Sequence, residues 1–208
     1  MKHKASRELY EYWNRLRGDE PAPLRSAIEP SDIRRVLADT FIAEVIGGGD
    51  LHIRLAGTRI CALYGRELKG SNLLDPWPPE DRSALTTLGA AVSNEGAVAV
   101  VTMTGHTSSG LSVACELLLL PLRHGPGRFD RILGALAPLE QPYWLGADPL
   151  TRQRISGLRL IWPGEDSDFG RRRTDRPTAM RAAAAPVQLP QRRASRRGHL
   201  YVVEGGKQ

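Results

Sequence analysis

The chain has 208 residues, of which 41% are hydrophobic, so it can form one ordinary domain with appendages. Residues 165–208 carry 10 Lys and Arg against 5 Asp and Glu, and residues 1–164 carry 19 against 18, so most of the formal charge of +6 lies in the C-terminal segment. Electrostatic binding of nucleic acid is therefore expected only through that segment. The chain has only two cysteines, Cys61 and Cys115, which excludes a disulfide-rich secreted scaffold. The longest apolar run, residues 117–122, is too short to cross a membrane.

The first predicted element is an amphipathic helix over residues 6–17, which Gly18 ends. The spacing i, i+3, i+4, i+7 forms one apolar stripe from Leu9, Tyr12, Trp13 and Leu16. A short second helix is predicted over residues 30–38. We interpret residues 1–38 as an N-terminal helical cap, whose stripe packs either on its own domain or on a second copy of the chain.

Two strands joined by a glycine-rich turn are predicted next. Residues 40–46 are apolar and β-branched, and residues 51–56 alternate apolar with polar side chains. A single-turn helix over residues 59–64 follows and is closed by Gly65. A longer helix, residues 80–95, has a buried stripe formed by Leu85, Leu88 and Val92.

Three further strands are predicted over residues 97–104, 111–122 and 129–136. The order of elements predicts an α+β domain, in which a five-stranded antiparallel sheet carries helices on one face and residues 39–140 form the core unit. Residues 141–164 are predicted to extend this unit. Within them, residues 155–162 form either one more short strand or a segment packed along the sheet.

The last segment, residues 165–208, is predicted to be a disordered basic tail, because it is rich in Arg, Ala and Pro. A short apolar motif interrupts it near the end, formed by Leu200, Tyr201, Val202 and Val203. Three interpretations of the tail stay open. The first is that the tail is a solvated linker, and the second is that it binds acidic partners or nucleic acid through its charge. The third is that it positions the apolar motif for docking to a partner.

Four regions of the sequence carry a family resemblance: residues 9–17 (LYEYWNRLR) with 21–23 (PAP), 54–61 (RLAGTRIC), 116–122 (ELLLLPL) and 133–139 (LGALAPL). In this order they resemble the small single-PAS-domain proteins of alphaproteobacteria, over about residues 6–162. The resemblance implies a PAS-like fold and a sensory or interaction module in a regulatory network. The sequence departs from better-known sensors in that we expect no histidine-kinase, diguanylate-cyclase or DNA-binding region after the domain, so we expect output to pass through contacts with partners.

The resemblance also implies a ligand pocket between the sheet and the helices that cover it. Tyrosine and tryptophan suit such a pocket, because each offers a large apolar face with one polar group. The alternative is that the same side chains simply fill a small core. The candidate lining residues are Cys61, Tyr64, Trp77, Leu88, Val92 and Cys115.

The cofactor stays open, although two are disfavoured. Haem needs an axial ligand, usually His, whereas His52, His106 and His124 lie on a strand or in glycine-rich turns where we expect exposure. Cys61 lacks the asparagine and arginine neighbours that flavin photosensors use for a thiol adduct.

Glu116 is unusual because it stands in the most apolar predicted strand. Strand alternation separates it from Cys115 and Leu117 and places it on a face of mixed polarity. We expect it to be exposed or half-exposed. The alternative is that it faces the cavity, where it would bond a ligand or pair with Arg54.

No nucleophile with a base partner, carboxylate pair or metal cluster can be assembled from the sequence, so we do not expect an enzyme. We expect a cytoplasmic sensory protein, homodimeric, that binds a small apolar ligand, a regulatory protein partner, or both. Two alternatives stay open: a ligand-free interaction scaffold, and a nucleic-acid-associated regulator that acts through the tail.

Overall fold

A computed structural model describes residues 1–47, 49–125 and 129–162. The predicted tail and its apolar motif at residues 200–203 lie outside the described residues. The helices are α1 (Lys4–Arg17), α2 (Thr58–Tyr64) and α3 (Pro79–Glu95), with single 3-10 turns at Arg25–Ala27 and Leu37–Asp39. The strands are β1 (Thr40–Ile46), β2 (Asp50–Ala56), β3 (Val98–Thr107), β4 (Ser112–Leu122), β5 (Arg131–Pro138) and β6 (Leu150–Ile161).

All of these strands belong to one antiparallel sheet, in the order β2-β1-β5-β4-β3-β6. The α+β class is therefore confirmed, but the described sheet has six strands rather than five. Of the two alternatives for residues 155–162, the structure shows the strand rather than a segment packed along the sheet, and this strand begins earlier, at Leu150. It pairs with β3 along most of its length, from Val98↔Ile161 to Thr107↔Leu150.

The predicted helix over residues 30–38 is wrong. The chain there forms successive turns followed by the 3-10 turn at Leu37–Asp39. Val36 N–H donates to Ile33 O within the turns, and Asp39 N–H donates to Val36 O in the 3-10 turn. These are three-residue spacings, so no α-helical ladder forms. Ile33 and Val36 are nevertheless buried, because the turns direct the same side chains toward the sheet.

The sheet is covered on both faces, and strand alternation divides the core into two layers. The inner face carries α2 and α3, and its layer contains Met103, Cys115, Leu117 and Leu136. The outer face carries α1, and its layer contains Val100, Leu118, Leu120 and Leu133. The predicted alternation, with Cys115 and Leu117 on one face of β4 and Glu116 on the other, is therefore confirmed.

The stripe of α1 packs on the outer face of its own sheet. Leu9, Tyr12 and Trp13 are buried there, and Leu16 is partly buried beside them. The Trp13 indole N–H donates to the Pro121 carbonyl oxygen at 2.7 Å. In this structure the stripe therefore packs within its own chain, which is the first of the two alternatives stated above.

No helix among the described residues has the length and apolar character needed to cross a membrane.

Gly89 offers a test of how closely α3 lies over the sheet. A Cβ atom at this helical position would meet the Leu51 side chain at 3.6 Å, which is an ordinary contact. Because alanine loses less backbone freedom than glycine on folding, Gly89→Ala should stabilise the domain by about 0.5–1 kcal/mol. Urea unfolding followed by circular dichroism measures this change.

The matched control is Gly57→Ala. A Cβ there would lie 2.4 Å from the carbonyl oxygens of Leu37 and Ala38, so this variant should be destabilised. A lowered midpoint for Gly89→Ala would contradict the packing of α3 described above.

Candidate functional site

The six candidate pocket residues come together on the inner face. Five of them, Tyr64, Trp77, Leu88, Val92 and Cys115, are buried in one cluster, and Cys61 is partly buried against it. Short α2 ends at Gly65, whose φ of +61° suits a left-handed helix end, and this termination places Tyr64 at the inner layer. The Trp77 indole N–H donates to Leu73 O at 3.1 Å.

A polar pair lies inside this otherwise apolar layer. The Gln153 side-chain amide donates to the Tyr64 hydroxyl oxygen, and both residues are buried. The Gln153 backbone N–H donates to Pro76 O at 2.9 Å, which fixes β6 against the segment before α3. Gln153 was not among the residues predicted from the sequence. The only signal for it was an uncharged polar residue between Arg152 and Arg154 in the C-terminal extension.

The ionisable groups of the inner layer are held in their neutral forms. Burial raises the pKa of the Cys115 thiol to about 12. Burial, and secondarily the neighbouring Cys115, raises the pKa of the Tyr64 hydroxyl well above its ordinary value. A neutral thiol is a poor nucleophile, so this layer offers hydrogen-bonding groups rather than reactive ones.

Cys61 differs from Cys115. Its Sγ lies at the rim of the layer and contacts Glu67 Oε1 at 3.8 Å. Both cysteines are free thiols.

None of the described histidines belongs to the inner cluster. Within residues 1–47, 49–125 and 129–162, no three His, Cys, Asp or Glu side chains group closely enough to hold a metal ion. The polar side-chain groups of the inner layer include the Tyr64 hydroxyl, the Gln153 amide and the Cys115 thiol, which already donates to Val113 O.

A cleft of about 400 Å³ lies at the start of α2, where Arg59, Leu63, Pro138 and Leu145 line it. The Arg59 guanidinium forms a bidentate pair with Asp39, with Nε at 2.7 Å from Oδ1. This pair raises the pKa of Arg59. The arrangement ties α2 to the 3-10 turn before β1, at one margin of the inner layer.

The expectation that Glu116 is exposed is wrong. The residue is 1% exposed and lies on the outer face, beneath the start of α1. Its oxygens accept hydrogen bonds from the backbone N–H of Lys2 at 2.6 Å and of His3 at 3.0 Å. It does not pair with Arg54, whose guanidinium contacts Glu44. Glu116 therefore holds the beginning of the chain against β4.

Comparison with known proteins places this geometry in a family. The family model of the PAS domain matches residues 1–137, which is 137 of 208 residues. No curated protein matches the sequence. The PAS-like fold expected from the sequence is confirmed, and β6 lies beyond the matched region.

Solved structures resemble the chain at low sequence identity. A light-oxygen-voltage domain studied with a flavin analogue is 19% identical, with 54% of this chain and 85% of that chain covered and a TM-score of 0.41. The LOV protein of Rhodobacter sphaeroides is 15% identical, with coverages of 56% and 71% and a TM-score of 0.41. The PAS domain of an HTR-like protein from Haloarcula marismortui is 18% identical, with coverages of 52% and 89% and a TM-score of 0.38.

Proposed function

We propose a sensory function for this chain, which belongs to the PAS domain family. The proposed role is sensory signalling rather than catalysis. The domain binds a small, largely apolar ligand between the inner face of its sheet and helices α2 and α3. Its output is a contact with a regulatory protein partner.

The observation that carries this proposal is the buried pair of Tyr64 and Gln153. Polar groups in an apolar layer cost free energy unless they are hydrogen-bonded, and two apolar residues would fill the same space without that requirement. A ligand site typically combines apolar walls with a few polar groups that fix orientation. The inner layer has this composition, so the expected ligand is apolar with one hydrogen-bonding group.

Binding at this site requires a rearrangement, because the inner side chains already pack closely. A ligand shifts such a domain between two states only through unequal affinity for them. We infer that α2 moves, since it is the shorter helix and is closed at Gly65. A cytoplasmic setting is part of the proposal, and the free thiols of Cys61 and Cys115 support it.

A second candidate function is a ligand-free interaction module. The close packing of the six candidate residues favours it, since the Trp77 indole N–H is already satisfied by Leu73 O. In that case the Tyr64–Gln153 pair serves only to fix β6 in its register.

Native mass spectrometry of the freshly purified full chain tests the first candidate against the second. We expect a retained small molecule on the natural protein and none on the double variant Tyr64→Phe/Gln153→Leu. Replacing both partners by apolar groups should change the free energy of unfolding by only about 1 kcal/mol, so loss of the molecule would not reflect loss of the fold.

The matched control is Tyr143→Phe, because Tyr143 is 96% exposed and should leave retention unchanged. A natural protein without any bound molecule, together with capture of one defined partner, would favour the ligand-free module. Retention by the double variant equal to that of the natural protein would remove Tyr64 and Gln153 from the proposed site.

A further inference from the structure

Helix α1 leaves part of the outer face uncovered. Its layer involves β3, β4 and β5, whereas the outer side of β1 and β2 forms an open groove of about 650 Å³. We call this the outer groove. It is lined by Arg25, Ile42, Glu44, Arg54, Leu55 and Arg131, with His124 at its margin.

The floor of the outer groove is apolar and accessible. Ile42 pairs with Leu55 across β1 and β2, so their side chains lie on the same face. Leu55 is 48% exposed and Ile42 is half-buried beside it. Exposed aliphatic side chains that adjoin one another on a sheet are typical of a contact surface.

Arginine side chains form the walls of the groove, and Glu44 orients two of them, Arg54 and Arg131. Glu44 accepts from two guanidiniums, with Arg54 at Oε2 and Arg131 at Oε1. These hydrogen bonds, from Arg131 first and then Arg54, lower the pKa of Glu44, so the carboxylate stays ionised and keeps both arginines oriented. Each guanidinium has five N–H donors, and one carboxylate does not use them all.

The charge of the groove limits what can occupy it. Three arginines against one glutamate give a net charge of +2 when His124 is neutral. Residues 163–208 carry 10 Lys and Arg against 5 Asp and Glu, a net of +5, so the C-terminal segment taken as a whole has the same sign, although its beginning at Glu165, Asp166 and Asp168 is acidic. A second copy that presented the same groove would also bring like charges together.

We propose that the outer groove binds a segment of a partner protein in which acidic and apolar side chains alternate. Carboxylates would pair with Arg25, Arg54 and Arg131, and apolar side chains would cover Ile42 and Leu55. The groove is far larger than a single inorganic anion and has an apolar floor, which favours a peptide. This inference rests on the proposed signalling function, because it names the chemistry of the partner that receives the output.

The test uses the full chain labelled with ¹⁵N and a short synthetic peptide in which glutamates alternate with leucines. We expect the amide signals of β1, β2 and Arg131 to shift on titration, and the affinity to fall as salt screens the charges. Arg54→Ala and Leu55→Ser should each weaken binding about tenfold. The controls Arg152→Ala and Leu158→Ser, at exposed positions on β6 at the other edge of the sheet, should change it by about twofold or less.

Three outcomes would overturn the proposal: no shift in the groove amides, equal binding of a peptide with lysines in place of the glutamates, or the same shifts on raising protein concentration alone. The last would identify a second copy as the occupant. Native mass spectrometry of Arg54→Ala/Leu55→Ser separates this inference from the inner-face ligand. Lost peptide binding with a retained small molecule supports the groove. Peptide binding by the natural protein, without any retained small molecule, supports the groove and contradicts the ligand.

Discussion

Replacing Trp13 with alanine is expected to destabilise the domain by about 4 kcal/mol. Trp13 is 1% exposed, so its truncation leaves a large void between α1 and the outer face. The variant also loses the hydrogen bond from the indole N–H to Pro121 O, which leaves that carbonyl group without this donor. The Arg17 guanidinium, 5.5 Å from the centre of the ring, loses its aromatic contact. Urea unfolding at neutral pH measures the loss.

Tyr143→Ala is the control, since an almost fully exposed aromatic ring should cost less than about 0.5 kcal/mol. Sedimentation of natural protein and Trp13→Ala adds a second measurement. If Trp13 packs within its own chain, both proteins have the same mass. Unchanged stability with a fall in mass would instead show that α1 joins two copies.

Replacing Glu116 with alanine is expected to cost about 3 kcal/mol. The variant removes an ionised acceptor from two backbone donors, the N–H groups of Lys2 and His3, and empties space below the first turn of α1. The loss should appear both as a lower unfolding midpoint and as faster amide exchange over the first turn of α1. An unchanged midpoint would contradict the proposed anchoring role.

The Glu116 contribution should also depend on pH. Burial raises the pKa of this carboxyl group, but the hydrogen bonds donated by Lys2, Ser6 and His3, together with the nearby N-terminal ammonium, outweigh burial, so the folded-state pKa lies below its ordinary value. A lowered folded-state pKa gives stability that is complete above the unfolded-state pKa of about 4.3 and is lost as pH falls through the folded-state value.

Glu116→Gln keeps the shape of the side chain without its titration. The stability difference between natural protein and this variant should therefore be largest at neutral pH and shrink in acid. A difference that stays constant down to acidic pH would show that the carboxylate charge contributes nothing.

The sequence predicted most of the architecture because hydrophobic periodicity is a local property. β1 was predicted with its observed bounds, and the buried stripe of α3 was predicted correctly. Alternation along β4 also placed Cys115 and Glu116 on opposite faces. The six candidate residues gathered on one face for the same reason, since each lies on a core-facing position of a predicted element or, for Trp77, just before one.

The remaining features depend on contacts between distant parts of the chain. The stripe of α1 was evident, but periodicity does not say which surface it covers. Glu116 was misjudged because its partners, the N–H groups of Lys2 and His3, are more than 110 residues away in sequence. Gln153 gave no local signal, since its importance comes from the tyrosine hydroxyl that it meets across the inner layer.

The alternation of β4 has one further consequence. Cys115 lies in the inner layer, where the ligand is proposed to bind. Glu116, the next residue, points to the outer face and accepts a hydrogen bond from the backbone N–H of Lys2. One peptide group separates these two tasks. If the proposed ligand displaced this strand slightly, the displacement would reach the first turn of α1 directly through the hydrogen bonds of Glu116.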